Sequence, residues 1–151
     1  MKIQDILSQD CVWVEKSVLP KRKMLEKISH LAAEKTGLSE AVILDALIER
    51  ERLGTTGIGR GVALPHSPIP RLNKIFCAFV KTAPMDFEAA DNKPVEFLFL
   101  LLVPPDAGAD HLKALAKLSR LLRDESTLAE MKKLELPKEL YKVIVKNDAD
   151  E

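Results

Sequence analysis

Residues Pro94 to Pro104 read PVEFLFLLLVP, and every position from Phe97 to Val103 is apolar. A strand with one solvated face alternates polar and apolar residues. An unbroken apolar run closed by proline at both ends predicts a central strand covered on both faces. Two further β-rich runs supply neighbours, Lys74 to Val80 (KIFCAFV) and, more weakly, Cys11 to Val14 (CVWV). Helical patterns lie to either side. Between Pro20 and Lys35, Met24, Leu25, Ile28, Leu31 and Ala32 repeat at the spacing of one helix face, with Pro20 suited to the first turn and Gly37 to the stop. His30 falls on the opposite, charged face and reads as a solvated side chain. Ser39 can cap a second helix running to about Arg52, with Val42, Ile43, Ala46 and Leu53 as its stripe. After Pro104-Pro105, Asp110 is a candidate N-cap for a helix with a stripe of Leu112, Leu115, Leu118, Ser119 and Leu122, opposite a charged face of Lys113, Lys117 and Arg120. Two short helices follow, at about Ser126 to Leu134 and Pro137 to Val145. Helices before, between and after the strands, around a strand buried on both faces, predict a three-layer α/β/α arrangement.

A chain of 151 residues is expected to form one domain, 1–151, with a core that needs no metal or disulfide staple; the closing NDADE is expected to fray from about residue 147. The 23 basic and 23 acidic side chains cancel, which argues against nucleic acid as the partner, since phosphate neutralisation shows as a basic excess. Cys11 and Cys77 stand alone, without C-x-x-C spacing, as in reduced cytoplasmic proteins. The polar start MKIQDILSQD is no signal peptide, and the longest apolar run falls short of the roughly 20 residues that span a bilayer. A cytoplasmic protein without membrane insertion is the expectation.

The chemistry is concentrated between Arg50 and Arg71, in RERLGTTGIGRGVALPHSPIPR. Four of the chain's six glycines lie here, at Gly54, Gly57, Gly59 and Gly61. They form either a tight irregular connection or a loop whose uncovered amides approach an anion. Neither a Walker loop nor a dinucleotide fingerprint is present: no Lys-Ser/Thr follows the glycines, and a helix rather than a strand precedes them. His66 lies five residues on, between Pro65 and Pro68, on a stiffened segment. With an ordinary pKa near 6.5, much of its ring is neutral at cellular pH and carries a lone pair for nucleophilic attack, unless the side chain is merely structural. Phosphorus is the electrophile that fits, because glycine amides and a nearby arginine can hold its charged oxygens.

Arg50 projects onto the apolar stripe of its helix near the last turn. It is either a snorkelling side chain favoured at a helix C-terminus or a functional group. His111, in the first turn of the Asp110 helix, leans toward the apolar face; it either fills space at the sheet edge or donates an N–H to an anion drawn to the helix start. The histidines and cysteines show no metal-ligand spacing and there is no G-x-S-x-G, so neither metal, cofactor nor serine nucleophile is expected.

The run RERLGTTGIGRGVALPH, with Leu101-Leu102-Val103-Pro104 and Asp110-His111-Leu112 after it, resembles the mannitol/fructose/nitrogen-type enzyme IIA domains of the bacterial phosphoenolpyruvate phosphotransferase system. The similarity extends from about Ile3 to Val145, and GTTGIGRGVALPH with DNKPVEFLFLLLVP is most like the nitrogen-regulatory branch. The resemblance implies a mixed β-sheet flanked by helices on both faces, the enzyme IIA fold. It implies a phosphoryl group accepted on His66 from the phosphocarrier protein HPr or its nitrogen-branch counterpart, with Arg50 and His111 stabilising it. In the regulatory branch the phosphorylation state then governs which protein targets are bound. In the alternative, sugar-type branch the group passes to an enzyme IIB of a transporter. One position departs from the family pattern: glycine usually follows the histidine, and Ser67 stands here. Its hydroxyl either adds a phosphate hydrogen bond or narrows access.

Overall fold

The structure, a computed structural model, describes residues 1–148. Strand β1 (Val12–Glu15) is followed by helices α1 (Lys21–Thr36) and α2 (Glu40–Arg52), then by three short strands, β2 (Gly57–Gly59), β3 (Val62–Ala63) and β4 (His66–Pro68). The long strands β5 (Phe76–Met85) and β6 (Val95–Val103) come next, and α3 (Ala109–Arg123), α4 (Glu125–Lys132) and α5 (Pro137–Lys146) close the described chain. None of these helices is long and apolar enough to cross a membrane.

The sheet is mixed, in the order β1-β5-β6-β3-β2, with β4 also on β6. β5 and β6 are antiparallel, while β1 runs parallel to β5. β3 and β4 both run parallel to β6 at one offset, Val62 opposite Phe97 and His66 opposite Leu101. They are thus two pieces of one strand line interrupted at Leu64-Pro65, and the Pro65 carbonyl still accepts from the Leu101 amide at 3.0 Å. Apart from Glu96, every residue of β6 is buried. Since alternate side chains leave a strand on opposite faces, both faces must be covered. α1 and α2 pack together against β5 and β4, and α3, α4 and α5 form a second group against β6 and β1. This is the three-layer arrangement predicted from PVEFLFLLLVP. Phe79 faces Phe99 across the ladder with ring centroids 4.9 Å apart, in the range where aromatic pairs add to area burial.

Helix ends follow local chemistry. Ser39 Oγ accepts from the Val42 amide at 3.3 Å at the start of α2, and the Gly37 amide closes α1 on the Ala33 carbonyl at 2.9 Å. His30 lies exposed beside Glu34 and Glu40, as a solvated face would have it.

Three stretches differ from expectation. In α2 the buried line is Ile43 and Leu47, continued by half-buried Arg50 at i+7, while Val42 and Leu53 are exposed. In α3, Gly108 rather than Asp110 is the N-cap. Its buried face is rotated to Ala114, Lys117, Leu118, Leu121 and Leu122, leaving Leu112 69% exposed. Lys117, expected on the solvated face, is only 5% exposed because Asp148 reaches it at 2.8 Å. The same Asp148 accepts the Ile3 amide at 2.7 Å, which ties it to both the N-terminal turn and α3, while the Asn147 side-chain amide donates to the Val143 carbonyl at 2.9 Å. Residues 149–151 of the expected tail lie outside the described residues.

The glycine run is a β-hairpin. β2 and β3 are antiparallel, with Gly59 opposite Val62 and a two-residue turn at Arg60 (φ 60°) and Gly61 (φ 80°). Positive φ at both turn positions matches the right-handed strand twist, and the second is where glycine is most at home. Gly57 is required for space: a Cβ there would sit 2.9 Å from Ala89 Cα. Gly57→Ala is therefore expected to lower stability by about 1–3 kcal/mol, the usual cost of forcing atoms into a packed site, read from the urea midpoint at unchanged m-value.

Candidate functional site

His66 opens β4 beside the core strand β6, so its backbone is fixed by the ladder and by Pro65 and Pro68. Its half-buried ring is oriented by one bond, Nδ1 to the Leu64 carbonyl at 2.7 Å. A carbonyl only accepts, so Nδ1 carries the proton and the neutral ring leaves Nε2 bare. Burial, the largest cause, holds the imidazole below the ordinary histidine range; the Leu64 carbonyl opposes this, and the charges of Arg50 and His111 add to it. The neutral nucleophilic form is thus favoured by the site.

The α2 stripe Ile43–Leu47–Arg50 packs toward β4 and delivers Arg50 to this ring. Arg50 Nε donates to His66 Nε2 at 3.4 Å, and Nη1 donates to the Gly54 carbonyl at 3.0 Å. The guanidinium is thus held at two points, Nε and Nη1. His111 arrives from the opposite layer, in the first turn of α3, where the chain re-enters after β6. Its ring lies edge-on to His66, with centroids 5.9 Å apart and planes at 61°. Its Nε2 is buried and has no hydrogen-bond partner among the described residues. An unsatisfied buried nitrogen of this kind costs about 1–3 kcal/mol, which a ligand oxygen would recover. The three residues singled out in the sequence therefore meet in space, one from each helical layer and one from the sheet between them.

Two expectations about the loop need correction. Three amides of the glycine run are already engaged and not held out for an anion: Gly54 N–H donates to the Glu51 carbonyl at 3.1 Å, Gly57 N–H to Thr55 Oγ1 at 3.0 Å, and Arg60 N–H to Asp91 Oδ2 at 3.0 Å. Ser67 neither meets a phosphate nor narrows access. Strand alternation sends it to the face opposite His66, where it is buried and its hydroxyl donates to the Pro68 carbonyl at 2.9 Å. The groups that sequence reasoning missed are two carbonyls, those of Leu64 and Gly54. The only mark of the first is its place two residues before the histidine, with Pro65 between.

Comparison with known proteins gives a consistent result. The model of the family described as "Phosphoenolpyruvate-dependent sugar phosphotransferase system, EIIA 2" matches residues 5–147. The chain is 41% identical to a nitrogen regulatory protein of Bradyrhizobium diazoefficiens, covering 95% of each chain. It is 37% identical to a fructose-specific EIIA component of Haloferax volcanii, covering 82% of this chain and 81% of that one. Among solved structures, the nitrogen regulatory protein IIA-Ntr of Neisseria meningitidis superposes with a TM-score of 0.87 at 32% identity, covering 94% of this chain and 98% of that one.

Proposed function

Because the chain belongs to the phosphoenolpyruvate-dependent sugar phosphotransferase system EIIA 2 family, we propose that it takes a phosphoryl group onto His66 Nε2 and acts as a nitrogen-regulatory IIA protein. The observation that carries the reading is the tautomer: Leu64 holds the Nδ1 proton at 2.7 Å and aims the bare Nε2 at Arg50. In the transfer, the Nε2 lone pair forms the new bond to phosphorus as the bond to the donor breaks, and that electron pair returns to the donor atom. The Nδ1 proton stays in place, and the positive charge developing on the ring is met by the Leu64 carbonyl. Arg50 and His111, whose Nε2 has no partner among the described residues, neutralise the transferring oxygens, His111 as an N–H donor.

The donor this arrangement suits is a protein, the phosphocarrier HPr or its nitrogen-branch counterpart. Leu53, just past the α2 turn that bears Arg50, is 85% exposed; Leu112, next to His111, is 69% exposed; and Ile58 on the hairpin is 46% exposed. Apolar side chains presented beside a charged site are suited to docking a protein rather than a free metabolite. A regulatory role follows from the nitrogen-type relatives: phosphorylation adds charge of about −2 at His66, enough to switch a protein contact beside those leucines. The fructose-type relative favours one competing reading, a IIA that hands the group to a IIB domain.

The test is incubation with phosphoenolpyruvate, enzyme I and HPr. One acid-labile phosphate per chain is expected, and none would overturn the reading. Rapid loss of that phosphate to a purified fructose-type IIB domain would favour the sugar branch. The pH profile is a second expected outcome. Since the folded ring titrates below about 6.5, the His66 15N signals should show a midpoint under that value, with phosphorylation flat above it and falling below as the nucleophile is protonated. The same shift stabilises the fold above pH 6.5, and that contribution is lost as pH falls through the folded pKa, which a comparison with His66→Gln by urea unfolding would reveal.

A further inference from the structure

Glu51 is the residue next to Arg50, yet the reaction outlined above gives it no part. Its side chain is only 8% exposed, and it is an acceptor at the centre of three donors. Lys21 Nζ lies 2.9 Å from Oε1, the Thr56 amide donates to Oε1 at 3.1 Å, and the Thr56 hydroxyl donates to Oε2. Lys21 is itself fixed, its ammonium 4.6 Å from the centroid of the Phe87 ring.

From Thr56 the hydrogen bonds continue without a gap. The Thr56 carbonyl accepts the Leu64 amide at 2.9 Å, and the Leu64 carbonyl accepts His66 Nδ1–H at 2.7 Å. Within Thr56 and within Leu64 the N–H and C=O lie in adjoining peptide planes joined at Cα; Pro65 restricts the dihedrals of Leu64 before it, so placing Thr56 places Leu64, and Leu64 orients the ring. A second arm leaves the same residue. The Gly54 amide returns to the Glu51 carbonyl at 3.1 Å, and the Gly54 carbonyl holds Arg50 Nη1 at 3.0 Å. Glu51 therefore stands at the root of both tethers, its carboxylate on the one that fixes the nucleophile and its backbone carbonyl on the one that fixes the arginine.

We infer that Glu51 is a positioning residue for phosphoryl transfer: by locking Thr56 it holds the Leu64 carbonyl that keeps the proton on His66 Nδ1 and presents Nε2 to the donor. This rests on the phosphoryl-transfer reading. The carboxylate is needed because it accepts on both oxygens at once, whereas the Gln amide offers one acceptor and turns two N–H groups toward Lys21 or Thr56.

The experiment uses Glu51→Gln and Thr56→Val in the full chain, with two readouts. In 15N NMR of the unphosphorylated protein, the wild-type His66 ring is expected to show one protonated nitrogen, Nδ1, and one bare nitrogen, Nε2. In both variants the two signals should move toward each other as the tautomers mix. In single-turnover phosphorylation by phospho-HPr, the limiting rate should fall on the order of 10-fold, with the half-saturating donor concentration unchanged, as expected of small misplacement at a reacting centre. A residue that served only stability would lower the unfolding midpoint and leave ring signals and rate per folded molecule untouched. Wild-type signals and rate in either folded variant would overturn the inference. If Glu51→Gln does not fold, Thr56→Val decides, since it removes only the hydroxyl arm. Failure of the wild type to take phosphate would overturn the phosphoryl-transfer reading instead. The ring signals need no donor and would still decide whether Glu51 sets the tautomer.

Discussion

Replacing His66 with alanine is expected to abolish phosphate uptake altogether, because neither of the other two histidines can stand in for it. His30 is exposed between Glu34 and Glu40, and the hydrogen bond it donates to the Glu40 carboxylate raises its pKa, so it spends more time as a proton-bearing cation without a lone pair. His111 reaches the site, but its Nε2 is enclosed and lies edge-on to the ring it would have to replace. Cys77, the other nucleophile type inside the sheet, is fully buried and its thiol is pushed far up by burial. The measurement is acid-labile label retained after long incubation with phosphoenolpyruvate, enzyme I and HPr. His66→Ala should sit at background, while His30→Ala should reach the wild-type end point. A slow approach of His66→Ala to full labelling would show a different acceptor and sink the assignment.

The legibility of this site in the sequence has a physical basis. Arg50 stands out in the sequence because it breaks a rule, a charge projecting onto the stripe read as Val42, Ile43, Ala46 and Leu53, and such breaks in patterning concentrate at functional sites. His66 stands out in the sequence because two prolines flank it and a glycine run precedes it. Which nitrogen reacts does not, because it is set by a carbonyl, and every residue has one. The fold divides in the same way. β6 and α1 carry enough residues to show a pattern and are bounded by Pro and Gly. β2, β3 and β4 have two or three residues each, too few for any period; β3 and β4 exist through pairing with β6, and β2 through pairing with β3. The rotation of the α3 face was hidden for a related reason: Lys117 is buried by a partner 31 residues away, and no local window contains Asp148. The glycine run stayed open between a tight connection and an anion-receiving loop because glycine permits both. Arg60-Gly61 and the close approach of Ala89 decided for the hairpin.

Arg50→Ala is expected to lower the limiting rate of His66 phosphorylation by about 10²–10³-fold, the effect of removing one preorganised charge stabiliser from a transferring group. In the resting protein Arg50 Nε donates to the same lone pair that must attack, at 3.4 Å, a long contact that is readily given up. As Nε2 bonds to phosphorus that N–H loses its acceptor on the ring and finds one on the phosphoryl oxygens, while Nη1 stays anchored on Gly54. The interaction is thus stronger in the transition state than before it, so the loss should fall on the limiting rate and spare the donor concentration giving half that rate. Arg50→Lys should recover only part, since a single ammonium lacks the planar fork that reaches Gly54 and the phosphoryl oxygens together. A rate within threefold of wild type for Arg50→Ala would remove the arginine from the mechanism. A change in the nucleophile's protonation offers no alternative explanation of a large loss. The arginine's charge lowers the His66 pKa, so its removal raises that pKa; at pH 8 the ring stays predominantly neutral with or without it. A fall that persists undiminished from pH 7 to pH 8 therefore belongs to the transferring group and not to the histidine.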